Sequence, residues 1–299
     1  MTGHENPNPA PERVSVWASG QRPAALQRRG RYTPSSVDHP AKMLPAIAAH
    51  AVQTYTRPGE WVLDPMCGIG TSLVEAAHAG RHGLGLELEE TWAEITRTNL
   101  ELAAAHGAQG SGRVHTGDAR VLPAVLAEQG WAGRARLLVT SPPYGSMTHG
   151  RVRTRRDGAG KVDKWSHRYS SAPEAAQLAY QKPDRLLESF TRILAASRVL
   201  LAPDAHVVVT ARPFRLRGRL VDFPGQVAQA AQAAGLEPVE RCVALLCGIR
   251  EDRLVTRASF FQMVETRRLR EQGLPVSVIA HEDVLVLAAG ETAGERSPR

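Results

Sequence analysis

The chain has 299 residues, of which 42% are hydrophobic, so it can bury the core of one large domain with or without appendages. Its 37 Lys and Arg exceed its 30 Asp and Glu by a formal charge of +7, which suits a polyanionic partner without establishing one. The three cysteines form neither a CxxC pair nor a zinc-spaced cluster, which argues against a structural zinc site. We find no secretory signal and no apolar run of membrane-spanning length, so we expect a cytoplasmic protein.

The two ends of the chain are predicted to lack regular structure. Residues 1–37 are rich in Pro, Gly, Ser and Arg and are expected to form a mostly irregular arm. Residues 290–299 are expected to form a disordered tail. The folded domain is therefore predicted to span residues 38–289.

Between these ends, apolar runs alternate with helical patterns. The predicted strands are 61–68, 82–89, 113–120, 135–144, 206–212, 239–247 and 279–289, and the predicted helices are 71–79, 91–106, 121–129, one that begins near Asp184, and 223–234. This alternation predicts an α/β fold with a doubly wound, mostly parallel sheet of about seven strands. Such sheets bind ligands at the carboxyl ends of their strands, which is where DPMCGIGT (64–71) and TSPPY (140–144) stand.

The first of these segments predicts a tight turn that holds no phosphate. Gly68 and Gly70 allow close approach of the backbone to a ligand. A phosphate-binding P-loop needs a lysine, but Gly70 is followed by Thr71. The dinucleotide fingerprint needs a third glycine, and Leu73 stands there.

Two acids follow on the next predicted strands. Glu87 lies near the end of the second strand, where an acid can accept the two hydroxyls of a ribose. Asp118 follows the third strand and is placed to meet an adenine amine. Singly, Asp64 could cap the turn, Glu87 could be a solvated acid and Asp118 a helix cap. Together and in this order, they indicate a cleft for an adenosine without phosphates, a description that S-adenosylmethionine (AdoMet) fits.

TSPPY suits the activation of an aromatic amine. Such a nitrogen is a poor nucleophile because its lone pair is delocalised, so it needs acceptors for its N–H groups. Pro142 and Pro143 present carbonyls without N–H donors, and Ser141 adds an oxygen acceptor. Tyr144 offers a ring on which an extruded base can stack. The alternative interpretation is a turn that the prolines merely stiffen.

From about Arg31 to Ala289 the chain resembles the class I AdoMet-dependent methyltransferases, and among them the amino-methyltransferases of DNA cytosine-N4 or adenine-N6. HPAKMLP (39–45) resembles the family's segment at the methionine end of the cofactor, and HEDVLVL (281–287) is similar to its closing strand. The resemblance implies AdoMet as cofactor, no metal, and catalytic roles for Ser141, Pro142, Pro143 and Tyr144. The cofactor-binding residues that it implies are His39, Lys42, Asp64, Met66, Cys67, Gly68, Gly70, Thr71, Glu87 and Asp118.

The resemblance also bears on the target base. Serine at the first position of the catalytic motif is typical of the cytosine-N4 members, so the first expectation is a site-specific DNA cytosine-N4 methyltransferase. The cytosine-C5 enzymes use a Pro-Cys nucleophile, and the chain has no Pro-Cys pair. Cys67 is accordingly interpreted as a packed thiol.

A basic loop follows the catalytic motif. Residues 146–170 carry seven Lys or Arg against two Asp, with two interleaved aromatic residues, as in surfaces that combine phosphate contacts with base stacking. The predicted nucleic-acid contacts are Arg151, Arg153, Arg155, Arg156, Lys161, Lys164, Trp165, Arg168 and Tyr169. A solvated surface loop is the alternative.

Two other functions stay open at this point. An RNA guanine-N2 or adenine-N6 methyltransferase is possible because DPMCG and PPYG also resemble tRNA guanine-N2 enzymes, although residues 1–37 are too few for the usual RNA-binding domain and Ser141 is less typical there. The other is a catalytically silent nucleic-acid-binding protein. Residues 213–275 are expected to be used by sheet and helices, which leaves the basic loop, the arm and FRLRGR (214–219) to read a sequence.

Overall fold

The computed structural model describes residues 12–143, 151–153, 163–165, 178, 183–216 and 218–289. The helices are α1 (Ala24–Arg28), α2 (Pro45–Tyr55), α3 (Thr71–His78), α4 (Glu90–Ala105), α5 (Leu122–Leu126), α6 (Pro183–Ser197), α7 (Phe223–Ala233) and α8 (Phe260–Glu271). Among these residues, no helix combines the length and the apolar character that a membrane crossing requires.

The strands are mostly those that the sequence predicts. They are β1 (Val16–Trp17), β2 (Trp61–Asp64), β3 (His82–Glu87), β4 (Ser111–Thr116), β5 (Ala135–Thr140), β6 (Arg151–Arg153), β7 (Asp163–Trp165), β8 (Leu201–Ala211), β9 (Phe214–Leu216), β10 (Arg219–Val221), β11 (Leu236–Leu245), β12 (Gly248–Arg250), β13 (Arg253–Val255) and β14 (His281–Ala289).

One large sheet has the order β1-β11-β14-β8-β5-β2-β3-β4. Its strands are parallel except β14, which pairs antiparallel with both β11 and β8. Without β1 and β14, the order is that of a doubly wound sheet, 3-2-1-4-5-6, with the last strand of the chain inserted beside the fifth. The predicted doubly wound α/β fold is confirmed.

Both faces of the central strands are buried, which explains why β2 and β5 are mostly apolar. Val62, Val139 and Val284 pack in the core on the α2 face, and their neighbours Leu63 and Leu138 pack in the core on the opposite face. Alternation along a strand sends successive side chains to opposite faces, so neither face can be solvated.

The carboxyl edge of the sheet gathers the polar strand ends. Along that edge β3 ends at Glu87, β2 at Asp64, β5 at Thr140 and β8 at Ala211. Because β14 runs in the opposite direction, it begins at this edge, with His281. The topology therefore brings residues from both halves of the chain to one edge.

The N-terminal arm is more ordered than predicted. Trp17 of β1 is buried and pairs with β11, and α1 follows in the stretch expected to be irregular. Tyr32 and Arg31 bond to the buried Glu75 of α3, with Tyr32 Oη 2.7 Å from Glu75 Oε1. Elements of two and five residues have too little periodicity to be recognised, and tertiary contacts fix them.

The stretch from 213 to 275 also differs from its prediction. Helix α7 and strand β11 belong to the layers of the main sheet, while β9–β10 and β12–β13 form separate two-stranded sheets, the first of which packs Phe214 and Val221 against the core. Leu254 and Phe260, in the second hairpin and at the start of α8, are 64% and 69% exposed. Residues 246–280 thus form an appendage between β11 and β14. The sequence analysis expected residues up to 275 to be used by the sheet and its helices, because short apolar runs do not show which sheet a strand joins.

Replacing Glu75 with Ala should lower the free energy of unfolding by about 2 kcal/mol, because the Tyr32 hydroxyl and the Arg31 guanidinium lose a buried acceptor. Arg31 adds little to this loss because it is 36% exposed and partly solvated. Urea unfolding measures the change. The exposed Glu94→Ala, which removes a surface ion pair to Arg97, should change stability by no more than about 0.5 kcal/mol.

Candidate active site

A single cavity lies at the carboxyl edge of the sheet and brings together residues predicted to bind cofactor and residues predicted to catalyse. Those lining it are His39, Lys42, Asp64, Met66, Cys67, Gly68, Thr71, Glu87, Asp118, Ser141, Pro142 and Pro143. Gly70 is in the adjoining turn. The sequence placed these residues on successive strand ends, and the parallel topology makes those ends neighbours in space.

The glycine turn follows β2 and begins α3. Gly68 and Gly70 have φ of +54° and +75°, which disfavours any other residue. Space is also limiting, because a Cβ on Gly68 would lie 3.0 Å from the His39 ring and one on Gly70 2.6 Å from the Thr96 methyl. Thr96 Oγ1 donates to the Gly68 carbonyl at 2.7 Å. The turn therefore presents a fixed backbone surface to the cavity.

Asp64 joins this turn to the catalytic segment. One carboxylate oxygen accepts from the Met66 N–H (3.1 Å) and from the Thr140 hydroxyl (3.0 Å), and the other accepts from Ser72. Thr140 immediately precedes Ser141. Burial raises the pKa of Asp64 to about 6, against these three donors, which lower it. The carboxyl group thus fixes the relative positions of two segments that lie 76 residues apart.

Glu87 lies at the end of β3 and faces the same cavity. Its Oε2 accepts from the Gly68 N–H at 2.8 Å and its Oε1 from the Glu89 N–H at 3.0 Å. Burial raises the pKa of Glu87 to about 7. Each carboxylate oxygen has two lone pairs, so both oxygens can still accept a hydroxyl from a ligand.

Asp118 has a local partner that the sequence did not reveal. The Arg120 guanidinium donates to both carboxylate oxygens of Asp118, and the Arg120 N–H donates to one of them. This pairing holds the pKa of Asp118 below its usual value. An ionised Asp118 remains at the cavity wall, where it can still accept from an amine.

His39 and Lys42 precede α2 and form another wall. The His39 ring meets Trp92 edge-on at 4.7 Å, and burial together with Lys42 lowers the pKa of His39 to about 3, so the ring is neutral. Lys42 Nζ donates to the carbonyls of Val37 and His39. Lys42 therefore also holds the turn of backbone that closes this wall.

Arg28, which the sequence analysis did not select, supports the same wall from the N-terminal segment. Its guanidinium donates to the Met43 carbonyl and, at 3.3 Å, to the Thr71 hydroxyl, and both of these residues line the cavity. The unexpected order of the N-terminal arm thus contributes to the shape of the site.

Cys67 is buried against the backbone of Gly85, whose Cβ, if present, would lie 2.8 Å from the sulfur. Burial raises the pKa of the Cys67 thiol well above its usual value. A thiol in this state is a poor nucleophile at neutral pH, in keeping with its interpretation as a packed side chain.

The catalytic segment is described as far as Pro143. Pro142 is buried, and Ser141 and Pro143 are half-buried at the cavity wall. Tyr144 and the predicted nucleic-acid contacts Arg155, Arg156, Lys161, Arg168 and Tyr169 lie outside the described residues.

Of the basic loop, the described part is a short hairpin. Arg151 of β6 pairs with Trp165 of β7, and Arg153 pairs with Asp163. The predicted contact Lys164 lies opposite Val152 in the same ladder. Two antiparallel strands therefore follow the catalytic segment where the sequence indicated only a loop.

Further residues line the cavity without having been predicted as site residues, among them Trp92, Leu178, Ile193 and Glu282. Trp92 and Ile193 carried only a helical apolar pattern, which indicates packing more often than ligand contact. Glu282 had a usable signal, since an acid at the start of an antiparallel closing strand must lie at the carboxyl edge. Within the described ranges, no group of three or more His, Cys, Asp or Glu could hold a metal ion.

The raised pKa of Asp64 predicts a pH dependence of stability. Its ionisation is less favourable in the folded than in the unfolded chain, so the stabilisation is complete below about pH 4 and is lost as pH rises through about 6. We expect the ligand-free protein to lose roughly 3 kcal/mol of unfolding free energy over this interval.

Urea unfolding at pH 4, 5, 6 and 7 tests this dependence. Asp64→Asn should make it shallower and leave the part that Glu87, with a pKa raised to about 7, contributes, whereas Glu101→Gln, at an exposed position of α4, should leave it as in the unmodified chain. An equally steep profile in Asp64→Asn would assign the dependence to another group.

Comparisons with known proteins agree with this geometry. A family model for N6/N4 DNA methylases matches residues 8–98. The chain is 35% identical over 54 residues to the type II methyltransferase M.MthZI of Methanothermobacter thermautotrophicus, and 32% over 63 residues to the type II methyltransferase M2.DpnII of Streptococcus pneumoniae. It is also 32% identical over 111 residues to the tRNA (guanine(10)-N2)-dimethyltransferase of Methanocaldococcus jannaschii.

These matches cover 18%, 21% and 37% of this chain, in that order, and only 15%, 24% and 31% of the respective relatives. The family model covers the glycine turn and Glu87, which line the part of the cavity formed by the first strands of the sheet. Over these stretches the chain is similar to N6/N4 DNA methylases, to type II DNA methyltransferases and to a tRNA methyltransferase, and its fold is the doubly wound α/β fold predicted from the sequence.

Proposed function

We propose that this protein transfers a methyl group from AdoMet to the exocyclic amine of a DNA base, with the N4 amine of cytosine as the first choice. The observation that carries the proposal is one cavity that contains both the glycine turn with Glu87 and the Ser141-Pro142-Pro143 segment. Asp64 connects these two parts by direct hydrogen bonds.

The residues of the cavity fit AdoMet in shape and in chemistry. The Gly68 N–H donates to Glu87 and both residues line the cavity, so the backbone of the turn and the carboxylate that would meet a ribose lie side by side. Glu87 offers two carboxylate oxygens for two ribose hydroxyls. No lysine or arginine stands in the turn itself, which suits a ligand with a positive charge better than a phosphate.

AdoMet supplies an electrophilic methyl group when it is bound, so the chain has to present the amine. Ser141 and the carbonyl groups of Pro142 and Pro143 provide acceptors for the two N–H groups of the base. Accepting both hydrogens directs the nitrogen lone pair toward the methyl group. The two prolines fix the backbone, which favours accurate alignment of the reacting atoms.

The target base and the polymer rest on different supports. The DNA assignment is supported by the family model and by the two type II methyltransferases, and the basic loop suits either polymer. Cytosine is supported by Ser141 alone. The alternative, methylation of guanine-N2 or adenine-N6 in RNA, is supported by the tRNA methyltransferase among the relatives.

Mass spectrometry of nucleosides tests the proposal. Purified protein is incubated with AdoMet and either unmethylated DNA or tRNA, and the polymers are then digested. We expect N4-methylcytosine from DNA. Methylated guanosine from tRNA with unmodified DNA would establish the alternative, and absence of AdoMet binding in calorimetry would refute the assignment altogether.

Tyr144→Ala should reduce methyl transfer by at least about 100-fold while AdoMet binds with nearly unchanged affinity, because base stacking is the contact that is lost. Tyr144→Phe, which keeps the ring, is the matched control and should retain most of the activity. Calorimetry with AdoMet and tritium transfer to DNA measure the two quantities. A parallel loss of both would count against the stacking role.

Replacing Arg153, Arg155 and Arg156 with Gln should weaken DNA binding and reduce the slope of log affinity against log salt by up to about 3, one for each lost phosphate contact. Fluorescence anisotropy between 50 and 250 mM salt measures the slope. Three exposed arginines elsewhere, Arg29, Arg57 and Arg134, provide the control. An unchanged slope would favour the alternative interpretation, in which the basic loop is a solvated surface loop that does not contact DNA.

A further inference from the structure

Glu282 is a carboxyl group in the cavity for which the proposed chemistry has no role so far. It is the second residue of β14 and lines the same cavity as Ser141 and Pro142. The side chain is half-buried, and it lies beside the buried Asp283, which instead pairs with Arg241. Glu282 is thus a cavity residue, and Asp283 is a structural one.

The sheet order places Glu282 opposite the predicted ribose site. Along the carboxyl edge the strands follow β3, β2, β5, β8, β14, so Glu87 and Glu282 lie on either side of the catalytic segment. β14 is two strand positions beyond β5, or about 10 Å. A six-membered ring held at Ser141 and a glutamate side chain together fill a gap of this size.

The surroundings of Glu282 disfavour its charge. On β8 the nearby groups are the Thr210 hydroxyl and the Arg212 guanidinium, and on β11 the residue opposite is Ala244. Burial raises the pKa of Glu282 above its usual value, although Arg212 and Thr210 lower it. In its protonated form a carboxyl group both donates and accepts a hydrogen bond, whereas in its ionised form it only accepts.

We propose that Glu282 determines which base the site accepts: its carboxyl group donates a hydrogen bond to the ring nitrogen beside the exocyclic amine and shares with the Ser141–Pro143 segment the acceptance of the amine's two N–H groups. This inference rests on the proposed function and names a residue that reads the edge of the target base. It concerns the substrate side of the cavity, since the cofactor's ribose is assigned to Glu87 at the other end.

The chemistry of the bases makes the proposal specific. In cytosine the N4 amine is next to the acceptor N3, and in adenine the N6 amine is next to the acceptor N1, so a protonated carboxyl group pairs with either edge. In guanine the N2 amine is next to the donor N1–H, so two donors face the site and an ionised carboxylate is needed instead. Glu282 therefore favours cytosine or adenine over guanine.

Two substitutions separate the protonated form from the ionised one. Glutamine has a carbonyl that accepts and an amide that donates, so Glu282→Gln reproduces the protonated carboxyl group, whereas Glu282→Ala removes both contacts. Glu237→Gln, an exposed acid on β11 away from the cavity, is the control. Thermal unfolding and AdoMet calorimetry show whether each full-length variant is folded and binds cofactor.

Methyl transfer to DNA is then measured with each variant at saturating AdoMet. We expect Glu282→Gln and Glu237→Gln to stay within about threefold of the unmodified protein and Glu282→Ala to lose about tenfold or more, as for loss of a bidentate base contact. AdoMet affinity should be the same in all four proteins.

Three results would overturn the inference. Equal loss in Glu282→Gln and Glu282→Ala would mean that an ionised carboxylate is required, and full activity of Glu282→Ala would mean that the base does not contact it. Weaker AdoMet binding in Glu282→Ala would indicate that Glu282 contacts the ammonium group of the cofactor and not the base. If the unmodified protein binds AdoMet and methylates no base, both the proposed function and this inference fail. The three results above overturn only the inference about Glu282 and leave the proposed function intact.

Discussion

The site depends on the hydrogen bonds of one buried carboxyl group. Asp64 accepts from the backbone of the glycine turn, from α3 and from Thr140 at the end of β5. Because buried polar groups are costly when unpaired, loss of any partner would shift the others. The glycine turn and the segment that begins with Ser141 are therefore held at a fixed distance, as the proposed in-line methyl transfer requires.

The two buried acids of the cavity, Asp64 and Glu87, suit a positively charged ligand that binds after the chain has folded. Asp64 and Glu87 both have raised pKa values, to about 6 and about 7, because the fold removes them from water. A positively charged ligand between them would favour their ionised forms. Binding of such a ligand would thus recover part of the energy that folding spends on burying two acids.

The sequence predicts most of the cofactor wall, because its residues belong to strand ends that follow one another in the chain. The parallel topology alone brings the ends of β2, β3 and β5 together, and with them Asp64, Glu87 and Ser141. Glu282 and Arg28 were missed because they reach the site from remote parts of the chain, through an antiparallel strand and a segment without periodicity. Asp118 was found, but its ion pair with Arg120 depends on side-chain geometry that spacing does not encode.

The direction of β14 has one more effect. β11 leaves the sheet at Leu245 and β14 re-enters it at His281, both at the carboxyl edge of the sheet. The segment between them, which includes the hairpin β12–β13 and helix α8, can change in length or in sequence without a change in the strand order of the sheet. Evolution can therefore vary this segment while the strands that carry the cavity stay the same.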